Sequence, residues 1–299
     1  MIPRATFRTF STPTRRNLSK LSTIDYCVDL VRKNEHENFM CTLLIPKAIR
    51  NTAFAIRAFN VEIAQIPDKA KDKQLASARM AFWQDALDKI YKGQPPEHPV
   101  ALELARAVKH HKLHKKHLSR LLKARLNALN SATFQNVQDV EKYAEETASP
   151  IFYMLLNASG VQSMEVDHAA SHLGKAQGVC NVIRAIPHLA AHRTVMLPQD
   201  LMTKHNVVQE DVIRQKCIGN LREVVFELAS TANIHLKKAR NLQEDVPKIA
   251  SSIFLPAVPL SSFLETLRNV DFNVYDEFLV ERNVHLGYSL IWKKLLSKY

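Results

Sequence analysis

The chain has 299 residues and a mass of 34.0 kDa, and 46% of its residues are hydrophobic, as in a folded globular protein with a core. This composition excludes disorder over most of the chain. Six glycines, against a usual share of ~7%, are too few for hairpin-rich β-structure or for glycine-rich phosphate-binding loops, so we predict an all-α protein.

The formal net charge of +12 is concentrated in two segments. Residues 1–23 contain five basic residues and no acidic one, and residues 106–125 contain eight basic residues and no acidic one. The rest of the chain carries a net charge of −1. A near-neutral domain with two basic segments is not the pattern of a uniformly cationic nucleic-acid binder.

The first 23 residues combine arginines with many Ser and Thr side chains and only sparse apolar residues. This pattern is typical of a mitochondrial transit peptide, because a secretory signal would need an unbroken apolar segment. A disordered basic arm is the alternative. We therefore expect residues 1–23 to be a transit peptide and residues 24–299 to form one helical domain.

From Asp25 onward the apolar residues recur mostly at helical spacing. Prolines stand where helices would begin or end. The pattern predicts helices at residues 26–38, 46–66, 75–91, 99–111, 118–129, 140–160, 167–186, 207–218 and 221–242, and a final pair after residue 260.

No stretch reaches the ~18 to 20 apolar residues that a membrane-spanning helix requires, and residues 253–264, which come nearest, are interrupted by prolines. We therefore expect no membrane span. The C-terminal residues 288–299 alternate apolar and lysine residues, as in a helix lying at a membrane surface. A last helix packed on the core, with its lysines outside, fits the pattern equally well.

The basic segment around residues 109–117 is a candidate docking patch for an acidic protein or an anionic lipid. Its candidate residues are Lys109, Lys112, Lys115, Lys116 and Arg120. A solvated connection between two helices is the alternative interpretation, and RNA is disfavoured because the segment lacks aromatic residues for base stacking.

The four cysteines, Cys27, Cys41, Cys180 and Cys217, form no CxxC pair and are expected to be reduced and buried. Three histidine pairs have the i, i+4 spacing that can hold a metal ion, but none has a third ligand implied by the sequence. We predict no metal site and no cofactor.

Four segments carry recognisable motifs: residues 38–59 read NFMCTLLIPKAIRNTAFAIRAF, residues 79–91 read RMAFWQDALDKIY, residues 181–184 read NVIR and residues 193–198 read RTVMLP. These segments resemble the squalene and phytoene synthase family. The resemblance extends over nearly all of residues 25–280. It implies the all-α isoprenoid-synthase fold, with a central cavity.

The chemistry of that family uses two DxxxD motifs, whose carboxylates hold Mg²⁺ ions that bind a prenyl diphosphate. Here the matching positions read AQIPD at residues 64–68 and AIPHL at residues 185–189. Asp68 remains, whereas Ala64, Ala185 and Leu189 offer no side-chain oxygen. A register shift could pair Asp68 with Asp72, but no second pair exists near residue 185. Arg184, an arginine in the family too, is a candidate cavity residue.

A transit peptide together with degenerate aspartate motifs is similar to a non-catalytic mitochondrial branch of the family. That resemblance implies a matrix protein, peripheral to the inner membrane and in contact with anionic lipid. It also implies a role early in the assembly of NADH:ubiquinone oxidoreductase (complex I), with complex I subunits or intermediates as partners. The alternative is an isoprenoid- or lipid-binding protein, or a divergent prenyl-transferring enzyme.

Overall fold

The computed structural model describes residues 22–130, 133–216 and 218–299. In these residues the chain forms α-helices, short 3₁₀ turns and one isolated β-bridge, between Phe134 and Pro198, which confirms the all-α prediction. The predicted transit peptide lies almost entirely outside the described residues, as does Cys217. The helices are α1 (Thr23–Asn34), α2 (His36–Leu43), α3 (Lys47–Ala64), α4 (Ile66–Lys69), α5 (Lys73–Tyr91), α6 (Pro99–His111), α7 (Lys115–Asn130), α8 (Val137–Thr147), α9 (Ser149–Ala158), α10 (Met164–Ala191), α11 (Gln199–Lys204), α12 (Gln209–Ile213), α13 (Ile218–Asn241), α14 (Lys248–Ser251), α15 (Ala257–Asn269) and α16 (Leu286–Leu295).

Several helices begin at side chains that cap their free N–H groups. The carboxylate of Asp72 accepts a hydrogen bond from the Leu75 N–H at 2.8 Å, and the side chain of Asn136 accepts one from the Asp139 N–H at 2.9 Å. Pro99 occupies the first turn of α6, where its missing N–H costs no helical hydrogen bond. The predicted bounds of α5 and α6 therefore agree closely with the structure.

Two predicted helices are broken in the structure. The first is interrupted at Glu35, whose φ of −131° and ψ of 61° end α1 and begin α2. The segment predicted at residues 140–160 divides at Ala148 into α8 and α9, with Pro150 in the first turn of α9. Conversely, α10 continues through Pro187 for one more turn. These differences matter because residues 35 and 188 both belong to the site described below.

The longest helix, α10, packs against α13 on one side and against α8 and α9 on another. Gly174 and Gly178 allow the close approach to α8 and α9. A Cβ atom added at Gly174 would lie 2.5 Å from the Cα of Ser149, and one added at Gly178 would lie 2.5 Å from the Cα of Ala144. Real Cβ atoms do not approach backbone this closely, so larger residues at these positions require the helices to separate.

The segment Lys248–Asn269 corrects the expectation that no stretch is long and apolar enough to cross a membrane. It has 22 residues, and its most apolar stretch of 18 residues has a mean hydropathy of 1.3. By length and composition alone, it could cross a membrane. In the structure the segment is divided into α14, the 3₁₀ turn Ser252–Phe254 and α15, and 61% of its most apolar stretch is buried. This burial is the pattern of a core segment.

The close contact of α10 with α8 and α9 predicts that Gly174→Ala and Gly178→Ala each lower the free energy of unfolding by about 1–3 kcal/mol, the usual cost of overpacking. Gly219→Ala on α13 is the matched control, because nothing lies within 4 Å of the Cβ it would add. Thermal unfolding of the three variants measures the effect. Equal stability of all three variants would show that Gly174 and Gly178 are not needed for the close contact of α10 with α8 and α9.

Candidate functional site

The two segments predicted to match the family's aspartate motifs lie next to each other in the structure. Nε2 of His188, on α10, lies 3.2 Å from Oδ1 of Asp68, on α4. Both side chains are about half exposed. Asp68 is therefore paired with an imidazole of the second predicted segment.

A second pair lies alongside. The guanidinium of Arg184 donates from Nη1 to Oε2 of Glu37 at 2.7 Å and from Nη2 to Oε1 at 3.1 Å. The same guanidinium carbon lies 4.2 Å from the centre of the Phe263 ring, on α15. Bidentate pairing and stacking both suit the planar guanidinium, so Arg184 joins α2, α10 and α15.

The other three motif positions contribute no polar atom. Ala64 is the exposed last residue of α3, while Ala185 and Leu189 are partly buried on α10. Mg²⁺ requires oxygen ligands, and here a single carboxylate, already beside an imidazole, is present at the four positions. In the described parts of the chain, no group of three His, Cys, Asp or Glu side chains has the geometry to hold a metal ion. The side chains at these four predicted positions therefore do not fit Mg²⁺–diphosphate chemistry.

Beneath these pairs lies a polar network centred on the carboxylate of Glu35. It accepts hydrogen bonds from Nδ2 of Asn60 at 2.9 Å, Nη1 of Arg57 at 3.3 Å and Nδ2 of Asn38 at 3.1 Å. Arg57 is only 1% exposed, so the carboxylate compensates a charge that has left water.

Two further side chains extend this network to α7 and α10. Nη2 of Arg125 donates to Oδ1 of Asn60 at 2.7 Å, and Nε2 of Gln177 donates to Oδ1 of Asn38 at 3.1 Å. Burial lowers the pKa of Arg125, and the Glu35 carboxylate opposes that shift. The network therefore links the α1–α2 junction with α3, α7 and α10.

The central cavity implied by the resemblance does not stand out among the spaces of the described structure. One space, lined by Ile186, Leu189 and Val212 among others, is too tight to admit a water molecule. Another space has a volume of about 410 Å³ and lies between α5 and α6, away from the predicted motif positions. Large side chains buried in the fold include Arg57, Phe59, Phe152 and Phe254.

The candidate docking patch is less uniform than its sequence. Lys109, Lys112, Lys115 and Lys116 are exposed, and Lys112 adopts a left-handed conformation at the end of α6. However, Nζ of Lys115 lies 2.7 Å from Oδ1 of Asp88, and Arg120 lies 3.8 Å from the Glu145 carboxylate. The fold thus brings acidic partners to two of the five predicted residues.

The C-terminal helix α16 has two apolar faces. Leu286 and Leu290 are buried against the fold, where they pack with residues such as Cys41 and Leu255. Residues 288, 291, 292 and 295 recur at helical spacing on the other side, and Trp292 and Leu295 are 63% and 74% exposed. The helix is therefore packed on the fold along one face, and its other apolar face is exposed.

Sequence reasoning missed a cluster formed by α8, α10 and α13. Nε2 of the buried His235 lies 2.6 Å from Oε1 of Glu141, and its Nδ1 lies 2.9 Å from Nδ1 of His172. Burial and the neighbouring His235 lower the pKa of His172 to about 4. His168 and His172 form one of the three i, i+4 histidine pairs in the sequence, but the partner of His172 in the structure is His235, 63 residues further along the chain.

The cysteine prediction is confirmed for the described residues. Cys27, Cys41 and Cys180 are free and buried. Burial raises the pKa of each thiol to about 12, so they are inert rather than nucleophilic.

Comparison with known proteins identifies similar chains. The family model for squalene/phytoene synthase matches residues 31–288. The protein named NADH dehydrogenase (ubiquinone) complex I, assembly factor 6, of Bos taurus is 41% identical over 272 residues, which are 90% of this chain and 82% of that protein. The Drosophila melanogaster homolog of that factor is 38% identical over 281 residues, or 92% of this chain and 84% of its own length.

A solved structure of a dehydrosqualene synthase in complex with ligand has a TM-score of 0.79 to this chain. The match covers 92% of this chain and 95% of that chain, at 16% sequence identity. At this identity the likeness shows the shared all-helical fold alone.

The network predicts that Glu35→Ala destabilises the protein strongly, because it leaves the buried Arg57 charge without its carboxylate. Removing one partner of a buried ion pair costs roughly 3–5 kcal/mol. Glu265→Ala is the control, since Glu265 is 69% exposed and lies 4.0 Å from Arg268; we expect a change within ~0.5 kcal/mol. Chemical denaturation measures both, and similar values for the two variants would refute the role of Glu35.

Proposed function

The chain belongs to the squalene/phytoene synthase family, and we propose that it is an assembly factor for mitochondrial complex I rather than a prenyl synthase. Relatives named as complex I assembly factor 6 are about 40% identical over 90% of the chain and supply the functional class. In this proposal the protein is a pseudoenzyme that uses the synthase fold as a scaffold.

The pairing of Asp68 with His188 is the observation that carries the pseudoenzyme interpretation. A synthase needs free carboxylates at this place for metal ions and diphosphate. Here the remaining carboxylate lies 3.2 Å from a neighbouring imidazole, and Glu37 is held by Arg184. The Arg184 guanidinium offsets the charge of Glu37, and Asp68 has an imidazole rather than a second carboxylate as its neighbour.

The finer parts of the proposal concern place and partner. Residues 1–23 act as a transit peptide, and residues 24–299 act early in complex I assembly on the matrix side of the inner membrane. The exposed lysines of the docking patch favour contact with anionic lipid. Subunits or assembly intermediates of complex I are the protein partners.

The alternative is an isoprenoid- or lipid-binding protein or a divergent prenyl-transferring enzyme. A central prenyl site would require an apolar space between the two motif segments. The space beside Ile186 and Leu189, next to the second segment, is too tight to admit a water molecule, which argues against that version. A lipid-binding property on the surface is compatible with the assembly role.

We expect the purified protein with Mg²⁺ to form no condensation product from farnesyl or geranylgeranyl diphosphate. We also expect Asp68→Asn to support complex I assembly as well as the wild type does, in cells whose own relative has been deleted. Removing an exposed ion pair costs at most ~1 kcal/mol, so folding should be retained. Product analysis and native-gel quantification of complex I are the measurements.

The outcomes separate the two classes of function. A presqualene- or phytoene-type product above a no-protein control would overturn the pseudoenzyme proposal. Loss of assembly in a folded Asp68→Asn variant would show that this carboxylate still does chemistry or binds a cation.

Deleting residues 1–23 should abolish import into mitochondria while leaving the domain folded. The segment has too few apolar residues to contribute a face to the core. Import assays with isolated mitochondria test the loss of import, and circular dichroism of the truncated chain tests whether the domain still folds. Normal import of the truncated chain would show that residues 1–23 have another role.

Charge reversal at Lys109, Lys112 and Lys116 should weaken binding to cardiolipin-containing vesicles at least about tenfold, since each lysine near an anionic surface contributes ~1 kcal/mol. These three are chosen because Lys115 is already paired with Asp88. The control reverses Lys47, Lys73 and Lys237, which are also exposed. Vesicle co-sedimentation at two salt concentrations measures the effect, and equal binding of both triple variants would remove the patch from the proposal.

A further inference from the structure

The space of about 410 Å³ between α5 and α6 is an apolar cleft with a cationic rim. Its volume lies in the range of ~300–1,000 Å³ that is usual for ligand pockets. Its apolar wall is formed by Ile90, Tyr91, Pro95, Leu102, Ala105 and Val108.

The walls of this cleft are held by hydrogen bonds. The Tyr91 hydroxyl donates to the Leu113 carbonyl at 2.7 Å, which ties the end of α5 to the connection after α6. The N–H of Gln94 donates to the carbonyl of Lys89 at 2.9 Å, and Gly93 adopts a φ of 77° in this turn. The cleft is therefore preformed rather than created by a loop that must move.

The rim carries two cations with different surroundings. Arg106 pairs with the buried Glu103 and also donates to Thr23, so its charge is largely compensated. Lys109 is exposed, and among the described residues no carboxylate lies within 4.0 Å of its ammonium group. Exposed Lys112 follows at the end of α6.

We propose that this cleft binds one anionic phospholipid drawn from the bilayer, with an acyl chain against the apolar wall and the phosphate beside Lys109. The inference rests on the membrane contact in the proposed function and deepens it, because it gives the docking patch a lipid site of its own. A neutral isoprenoid would use the wall but not the rim. An acidic protein would use the rim but leave the wall exposed to water.

The single-lipid site predicts binding in the absence of a bilayer. The probe is dihexanoyl phosphatidylglycerol, titrated below its micelle-forming concentration into the full domain by calorimetry, with dihexanoyl phosphatidylcholine as the neutral counterpart. We expect saturable binding of the anionic lipid and at least about fivefold weaker binding of the neutral one. This factor corresponds to the ~1 kcal/mol that one lysine contributes near an anionic group.

Two variants and two controls locate that binding. Ala105→Trp fills the cleft and Lys109→Ala removes the rim cation, and each should weaken binding at least about fivefold. Ala78→Trp, exposed on α5, and Lys47→Ala, exposed on α3, should bind as the wild type does. Circular dichroism checks that each variant is folded, and Lys109→Ala tests the site even where Ala105→Trp fails to fold.

Equal binding of the two lipids, no saturable binding, or wild-type binding by folded Ala105→Trp or by Lys109→Ala would each overturn the site. Failure of this inference is distinguishable from failure of the proposed function. Complex I assembly restored by a chain that binds no lipid would refute the cleft alone. Lipid binding by a chain that restores no assembly would refute the assembly role alone.

Discussion

The carboxylate of Glu35 is the constraint on which the rest of the helical domain depends. A guanidinium as deeply buried as that of Arg57 is tolerated only beside a negative charge, and Glu35 supplies it from the junction of α1 and α2. The backbone at Glu35 leaves helical geometry to do so. The same carboxylate organises Asn38 and Asn60, so the orientations of α2 and α3 are set by one polar centre.

Above this centre, the fold shared with squalene and phytoene synthases carries two pairs of oppositely placed polar side chains. Asp68 with His188 joins the two segments predicted to match the aspartate motifs, and Glu37 with Arg184 joins α2 to α10. In a synthase the corresponding contact would be made through metal ions and substrate. A chain that closes this gap with its own residues keeps the architecture without needing a ligand to complete it, which suits a scaffold.

The sequence predicted the helical class, the bounds of α5 and α6 and the buried cysteines, because these follow from local periodicity and composition. It did not predict the break at Glu35, since nothing local distinguishes that glutamate from a surface one. The pairing of His188 with Asp68 was equally hidden, because the two residues are 120 positions apart and α10 was expected to end before Pro187. The acidic partners of Lys115 and Arg120 also come from other helices. Hydrophobic periodicity therefore could not predict the contacts between helices that are distant in the sequence.

The order of the network's members along the chain has a consequence for folding. Glu35 meets Arg57 and Asn60 within 25 residues, Arg125 follows 65 residues after Asn60, and Gln177 joins 139 residues after Asn38. Short-range contacts close fastest, and long loops close late. In a polypeptide that emerges from its N-terminus, the buried arginine would therefore acquire its counter-ion early, while the link to α10 would wait for more than half of the chain. We expect the first three helices to form a protected nucleus on which the later helices assemble.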